Sequence, residues 1–157
     1  MKKYLLNIVL PVFLGITVYT LWGSKHLIIY RWLGDSVSGN ISRIQNSSAI
    51  QNIKVPNWIK YNVPDGLWLY SLTTLIIFIW QKKLNIYSLP WILLCPFLAF
   101  GSEIGQGLKI IPGTFDVIDL LAYSLATVAA SLHLINRNYI QTKLITIKFK
   151  KHEKKLS

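Results

Sequence analysis

Residues 4–22 read YLLNIVLPVFLGITVYTLW, a run without a single charged side chain. At 1.5 Å per residue, a helix over this run is about 28 Å long, close to the thickness of a bilayer's hydrocarbon core. Three further apolar runs follow at about 63–80, 86–108 and 115–135, and none has a polar face. Helices on the surface of a soluble bundle need such a face. The pattern therefore predicts an all-α membrane protein with four transmembrane helices in a small antiparallel bundle.

The composition of the whole chain agrees with a membrane location. Of 157 residues, 52% are apolar and only 15% are charged, whereas soluble domains carry about 25% charged residues. Seventeen Lys and Arg against six Asp and Glu give a net charge of +11. In so apolar a chain, this excess indicates attraction to anionic headgroups. Cys95 is the only cysteine, which excludes a disulfide framework and a CxxC metal site.

A cleaved signal peptide is the main alternative for the first run, because two lysines precede it. The run is longer than a usual signal-peptide core, and residues 20–24 (TLWGS) lack a small-x-small cleavage pattern. We therefore expect a retained anchor within a transmembrane domain of residues 1–135. The loop 23–62 is predicted to be an extended extracytoplasmic loop, with an interfacial helix at 27–33 and an irregular or partly helical middle.

Basic residues are divided unequally between the two sides of the predicted bundle. With four crossings, both termini and the loop 81–85 share one side, which holds eleven basic residues against six on the other. By the positive-inside rule, both termini are cytoplasmic.

The tail at 136–157 ends in KFKKHEKK at 148–155. Such a cluster beside a membrane attracts anionic lipid at about 1 kcal/mol per basic residue. No nucleic-acid-binding fold accompanies the tail, so we expect membrane lipids and no nucleic acid as partners. Assembly into a homo-oligomer or a larger membrane complex is compatible with so small a bundle.

Four of the six acidic residues fall at predicted helix ends on the outer side of the membrane. Asp65 opens the second helix, Glu103 lies near the end of the third, and Asp116 and Asp119 open the fourth. Ionisable side chains at membrane depth are costly and commonly functional. The clustering of these acids marks the candidate site.

The spacing of polar residues around these acids predicts a small pocket. Gln106 follows Glu103 by three residues and Tyr123 follows Asp119 by four, so each pair shares a helical face. A short turn at 109–114 joins the two helices and places its lysine at the rim. The predicted ligand-binding residues are Asp65, Glu103, Gln106, Asp116, Asp119 and Tyr123.

Helix capping is the alternative role for some of these residues. Thr114 is a candidate N-cap of the fourth helix, and Asp116 and Asp65 would complement helix dipoles by about 0.3–1 kcal/mol each. Capping does not explain Glu103 or Asp119, for which we favour a functional or polar-network role.

Neither of the two histidines that precede the tail lies beside the clustered acids in the sequence. His26 falls in the first loop and His133 near the inner end of the fourth helix. We therefore expect no metal site, and no motif indicates a cofactor. Tyr70, inside the second helix, is interpreted as a packing residue.

Residues 103–106 (EIGQ) and 113–119 (GTFDVID) resemble a motif of the VanZ-like family of small membrane proteins. In that family a Glu-x-x-Gln pair ends one helix, and an Asp opens the next after a short loop. By this resemblance, Glu103, Gln106 and Asp119 occupy the family's polar positions. The chain departs from the pattern at a common Asn, a Gly and a loop Arg, for which it has Tyr123, Ala126 and no arginine.

The resemblance implies a protein of the bacterial cell envelope, in the cytoplasmic (inner) membrane. One branch of the family is associated with resistance to glycopeptide antibiotics of the teicoplanin type, but the resemblance supplies no reaction.

Three functions agree with the predicted pocket. The first is a binding or accessory protein whose carboxylates and amides hold a cation, an amine or a polar lipid headgroup. The second is an enzyme acting on a lipid-linked envelope precursor, with Glu103 and Asp119 as an acid/base pair, because neighbouring carboxyl groups can divide proton tasks. The third is a small cation- or proton-coupled transporter, which would require oligomerisation.

Overall fold

The computed structural model describes residues 2–23, 34–81 and 84–134 of the chain. Within these ranges the regular structure is entirely helical, so the predicted all-α class is confirmed. The helices are α1 (Lys2–Trp22), α2 (Asp35–Gln45), α3 (Ser48–Gln51), α4 (Asn57–Ile79), α5 (Leu89–Gly107) and α6 (Val117–Leu134).

Three of the helices are long and apolar enough to cross a membrane, by length and composition. The spans are Leu5–Trp22 in α1, all of α4 (Asn57–Ile79) and Val117–Leu134 in α6. The fourth predicted span, α5, has 19 residues but does not join this group. Its C-terminal part, 101–107 (GSEIGQG), lowers its hydropathy with glycine and polar side chains.

The contacts between α1 and α4 show that these helices are antiparallel. Gly15 lies against Trp68 and Pro64, and a Cβ added at Gly15 would fall 2.6 Å from the Nε1 atom of Trp68. Tyr19, one turn later on α1, is close enough to Tyr61 for electrostatic interaction. Residue numbers therefore rise along α1 as they fall along α4.

Helix α5 contacts both α4 and α6 and is antiparallel to each. Near its start, Ile92 shares a buried cluster with Ile77 of α4 and Ala130 of α6. Near its end, Phe100 packs edge-on against Tyr123 of α6, with ring centroids 5.9 Å apart. The four long helices thus alternate in direction along the chain.

Helix α4 is central and α1 is peripheral. In the apolar span of α4, 39% of the residues are buried, against 6% in the span of α1. Large apolar side chains cover the outer surface of α1, among them Leu5, Leu6, Val9 and Phe13. Exposed apolar area on this scale is unfavourable in water and is expected where lipid surrounds the helices.

The predicted start of the second helix, near residue 63, is wrong. Helix α4 begins at Asn57, directly after Pro56, and continues through the buried Pro64. A proline removes one helical hydrogen bond and usually marks a boundary, but neighbouring helices can support it inside a membrane helix. The other predicted boundaries differ from the structure by at most three residues where the structure describes them.

The predicted loop 23–62 is partly helical in its described portion. It contains α2, α3 and the first residues of α4. The side chain of Gln45 donates hydrogen bonds to the carbonyl oxygens of Thr20 at 2.9 Å and Gly23 at 3.4 Å, which ties α2 to the end of α1. The predicted interfacial helix at 27–33 and the basic tail at 136–157 lie outside the described residues.

Candidate functional site

The side chain of Asn62 joins two acidic residues of α6. This buried residue lies in the second turn of α4. Its Nδ2 atom donates one hydrogen bond to Asp116 Oδ2 at 3.0 Å and a second to Asp119 Oδ1 at 2.8 Å. Both hydrogens of the amide nitrogen are thereby used, and the second turn of α4 is held to the start of α6.

Sequence reasoning missed Asn62 because the predicted loop ended at that residue. A helix that starts at Asn57 places Asn62 three residues before Asp65, on a shared face. An earlier helix start would therefore have found it.

Glu103 connects the end of α5 to the start of α6. Its side chain is only 2% exposed, and its Oε1 atom accepts a hydrogen bond from the backbone N–H of Asp116. Burial of a carboxylate without a partner is very costly. The donor stands at the N-terminus of α6, where the helix dipole also favours negative charge. Glu103 lies near the C-terminal end of α5, which has no unpaired N–H groups to offer a carboxylate. Its partner therefore comes from the start of the next helix.

Asp116, and not the predicted Thr114, caps α6. The helix begins at Val117, and Asp116 Oδ1 accepts a hydrogen bond from the backbone N–H of Ile118 at 2.8 Å. Hydrogen bonds from Asn62 and from this N–H lower the pKa of Asp116 below its usual range. The carboxyl group is therefore ionised at neutral pH.

Asp65 lies inside α4 and caps no helix, because α4 begins at Asn57. Its half-buried carboxyl group is close enough to Asp119 and Glu103 for their charges to interact. Tyr19 of α1 approaches both Asp65 and Asp119 in the same way. Four acidic residues therefore converge from three helices: Asp65, Glu103, Asp116 and Asp119, here called the carboxylate cluster.

Tyr123 and Gln106 occupy different surroundings. Tyr123 is buried beside Leu69, and its phenol lies within electrostatic reach of Asp65. The side chain of Gln106 instead packs over Gly113 in the turn before α6. A Cβ atom added at Gly113 would fall 2.5 Å from the Cδ atom of Gln106. No hydrogen bond joins Gln106 to the carboxylate cluster within the described ranges, and its role in ligand binding stays a prediction.

The carboxylate cluster has no cationic partner in the part of the chain that the structure describes. No ion pair joins its carboxyl groups to any Lys, Arg or His there. Lys109, predicted at the rim, is exposed and has a positive φ of 58°. Among the described residues, the neighbours of these carboxyl groups are therefore one another, Asn62 and backbone N–H groups.

The structure describes no group of three or more His, Cys, Asp or Glu side chains arranged to hold a metal ion. His133 instead forms a hydrogen bond of 3.0 Å between its Nε2 atom and the Tyr70 hydroxyl. Tyr70 therefore has a polar partner as well as packing contacts, which its position in an apolar run did not indicate. His133 follows Asp119 by fourteen residues on α6, a rise of about 21 Å.

Comparisons with protein-family models, curated proteins and solved structures found no match to this chain. The resemblance of residues 103–119 to the VanZ-like motif therefore stays a prediction.

Proposed function

We propose that this chain is a multi-pass protein of the bacterial cytoplasmic membrane, related to VanZ-like proteins. Its carboxylate cluster binds a cation, an amine or a polar lipid headgroup at the outer leaflet. One observation carries the proposal: four carboxyl groups meet at one end of the helices with no basic partner among the described residues. In a medium of low dielectric constant, such a cluster is stabilised by a positive ligand.

A fourth crossing by α5 is part of this proposal. Its 19 residues give a length of about 28 Å, close to the hydrocarbon thickness. Its outward side chains include Leu93, Phe97 and Leu98, all strongly exposed. Because α5 is antiparallel to α4 and α6, a crossing there places the carboxylate cluster at one membrane surface.

The distribution of basic residues supports an outer location for the carboxylate cluster. In the sequence, Lys2 and Lys3 stand at the start of α1 and the basic tail follows the end of α6, whereas the cluster is near the end of α5 and the start of α6. Basic residues accumulate on the cytoplasmic side of membrane proteins. The acids then face the outside, where cations and outer-leaflet headgroups are available.

A binding role ranks before catalysis because the cluster is built from fixed hydrogen-bond acceptors. Asp119 is held by Asn62, and Glu103 is held by the backbone of Asp116. These bonds orient carboxylate oxygens for a ligand. An enzyme with Glu103 and Asp119 as acid and base is the alternative, and turnover of a lipid-linked substrate would establish it.

The proposal is tested by thermal unfolding of the purified full chain in detergent micelles. Ethanolamine, Mg²⁺ and Ca²⁺ are titrated separately. A ligand at one hundred times its Kd adds about 2.7 kcal/mol, which raises the Tm of a protein this size by about 5–10 °C. Glu103→Gln and Asp119→Asn should abolish the rise, while Asp35→Asn, at the start of α2, should retain it. If none of the three probes changes the wild-type Tm, the cluster is structural.

A further inference from the structure

A groove of about 380 Å³ opens at the protein surface beside the carboxylate cluster. Its polar lining comes from Asp65 of α4 and Tyr123 of α6. The remaining lining is largely apolar and includes Trp68 and Leu72 of α4 and Leu98 of α5. The groove therefore joins an acidic group to a hydrocarbon wall.

The depth of the groove suits an acyl chain. Asp65 and Leu72 are seven residues apart on one helix, a rise of about 10 Å, or two-thirds of a hydrocarbon leaflet of about 15 Å. Leu72 and Leu98 are 48% and 59% exposed, so the groove is open sideways to the surrounding lipid. An acyl chain of a neighbouring lipid can therefore lie against this apolar wall while the headgroup of the same lipid reaches Asp65.

The charge at the groove selects the headgroup. Asp65 lies within electrostatic reach of Asp119 and Glu103, and no basic side chain pairs with these acids among the described residues. Contact between an acyl chain and the groove contributes little to binding, because the apolar wall would otherwise be in contact with another lipid tail of the same polarity. The discriminating interaction is therefore an ammonium group, with three N–H donors, against carboxylate acceptors.

We propose that this groove binds one diacyl lipid with a primary-ammonium headgroup. The ammonium contacts Asp65, and one acyl chain lies along Leu72 and Leu98. The inference rests on the proposed function, because it assigns the positive ligand of the carboxylate cluster to a lipid of the outer leaflet.

Native mass spectrometry of the full chain tests this assignment. The protein is purified in mild detergent with equimolar phosphatidylethanolamine and phosphatidylglycerol, and the lipids retained are counted. Asp65→Asn should lower the ratio of bound phosphatidylethanolamine to phosphatidylglycerol about tenfold, equivalent to about 1.4 kcal/mol. Asp35→Asn is the matched control and should keep the wild-type ratio. Any phosphatidylglycerol that the basic tail binds is the same in every variant, so it does not affect the comparison of the lipid ratio between variants.

Filling the groove provides an independent variant. Leu98→Trp and, separately, Leu72→Trp should reduce retained phosphatidylethanolamine at least threefold. Leu121→Trp on α6 is the matched control, because Leu121 is also 59% exposed but does not line the groove. Helix content measured by circular dichroism shows whether each variant is folded. Leu98 and Leu72 are both exposed, so these positions should accept a larger side chain without loss of the fold.

The outcomes separate this inference from the proposed function. An unchanged lipid ratio in Asp65→Asn overturns the inference. A ratio that falls in Asp65→Asn but is unaffected by both groove-filling variants also overturns it, because the amine is then bound without a chain in the groove. In either case, a Tm rise with ethanolamine that depends on Glu103 leaves the proposed function standing.

Discussion

Removal of the Asn62 amide should loosen the junction between α4 and α6. Asn62→Ala leaves Asp119 Oδ1 without its donor at 2.8 Å, and a hydrogen bond to a charged group contributes about 1.5–3 kcal/mol. The bond to Asp116 adds less, since the Ile118 N–H still donates to that carboxylate. A total near 2 kcal/mol lowers the Tm by about 4–8 °C for a protein of this length.

The assay for Asn62→Ala is thermal unfolding in detergent micelles at neutral pH, followed by circular dichroism. Ser71→Ala is the matched control. Ser71 is equally buried on α4, but its hydroxyl donates to the Leu67 carbonyl of the same helix at 2.8 Å, so its loss separates no helices. We expect a smaller Tm loss of about 1–4 °C for this control, from a bond of about 0.5–1 kcal/mol. Equal Tm losses in the two variants would refute the reasoning, because the bridge between helices would then have no special weight.

Acidification should remove the advantage that Asp116 gives the folded protein. Its pKa is lowered by hydrogen bonds from Asn62 and from the Ile118 N–H. A carboxyl group with a lowered folded pKa stabilises the protein fully above its unfolded value of about 3.9, and this stabilisation is lost as pH falls through the folded pKa. The Tm gap between wild type and Asp116→Asn should therefore be constant near neutral pH and narrow below about pH 4. A Tm difference that widens on acidification would contradict a lowered pKa of Asp116 in the folded protein.

Two further predictions concern helix packing and topology. Gly15→Ala should lower the Tm by up to about 8 °C, because its Cβ would meet Trp68 Nε1 at 2.6 Å and overpacking costs about 1–3 kcal/mol, partly offset by about 1 kcal/mol from the better helix propensity of alanine. Gly101→Ala, with no atom within 4 Å of the added Cβ, should leave the Tm unchanged or raise it, and equal losses would disprove the close approach. In a variant whose native cysteine is replaced by serine, a membrane-impermeant maleimide applied outside should label cysteine at Asn40 and not at Ser157. The reverse labelling pattern would place the carboxylate cluster on the cytoplasmic side.

The apolar runs of the sequence located the four long helices to within a few residues, except at one boundary. A long apolar run in lipid satisfies its backbone hydrogen bonds internally, so helix is its only stable form outside a closed barrel. The exception is Pro64, which indicates a helix start in the sequence but lies inside α4 in the structure. That one difference moves Asn62 from a loop into a helix and moves Asp65 from a helix end into a helix interior.

Composition and the lengths of the apolar runs are enough to predict a helical, apolar chain with four of its six acids near one end of the helices. Which of these acids lie together depends on how the helices pack. Asn62 bonds to acids 54 and 57 residues away, while Gln106, beside Glu103 in the sequence, packs over the turn. Periodicity and composition are properties of neighbouring residues, but contacts between helices depend on their rotation and register. Those are set by close packing such as Gly66 against Ala122, which no local pattern contains.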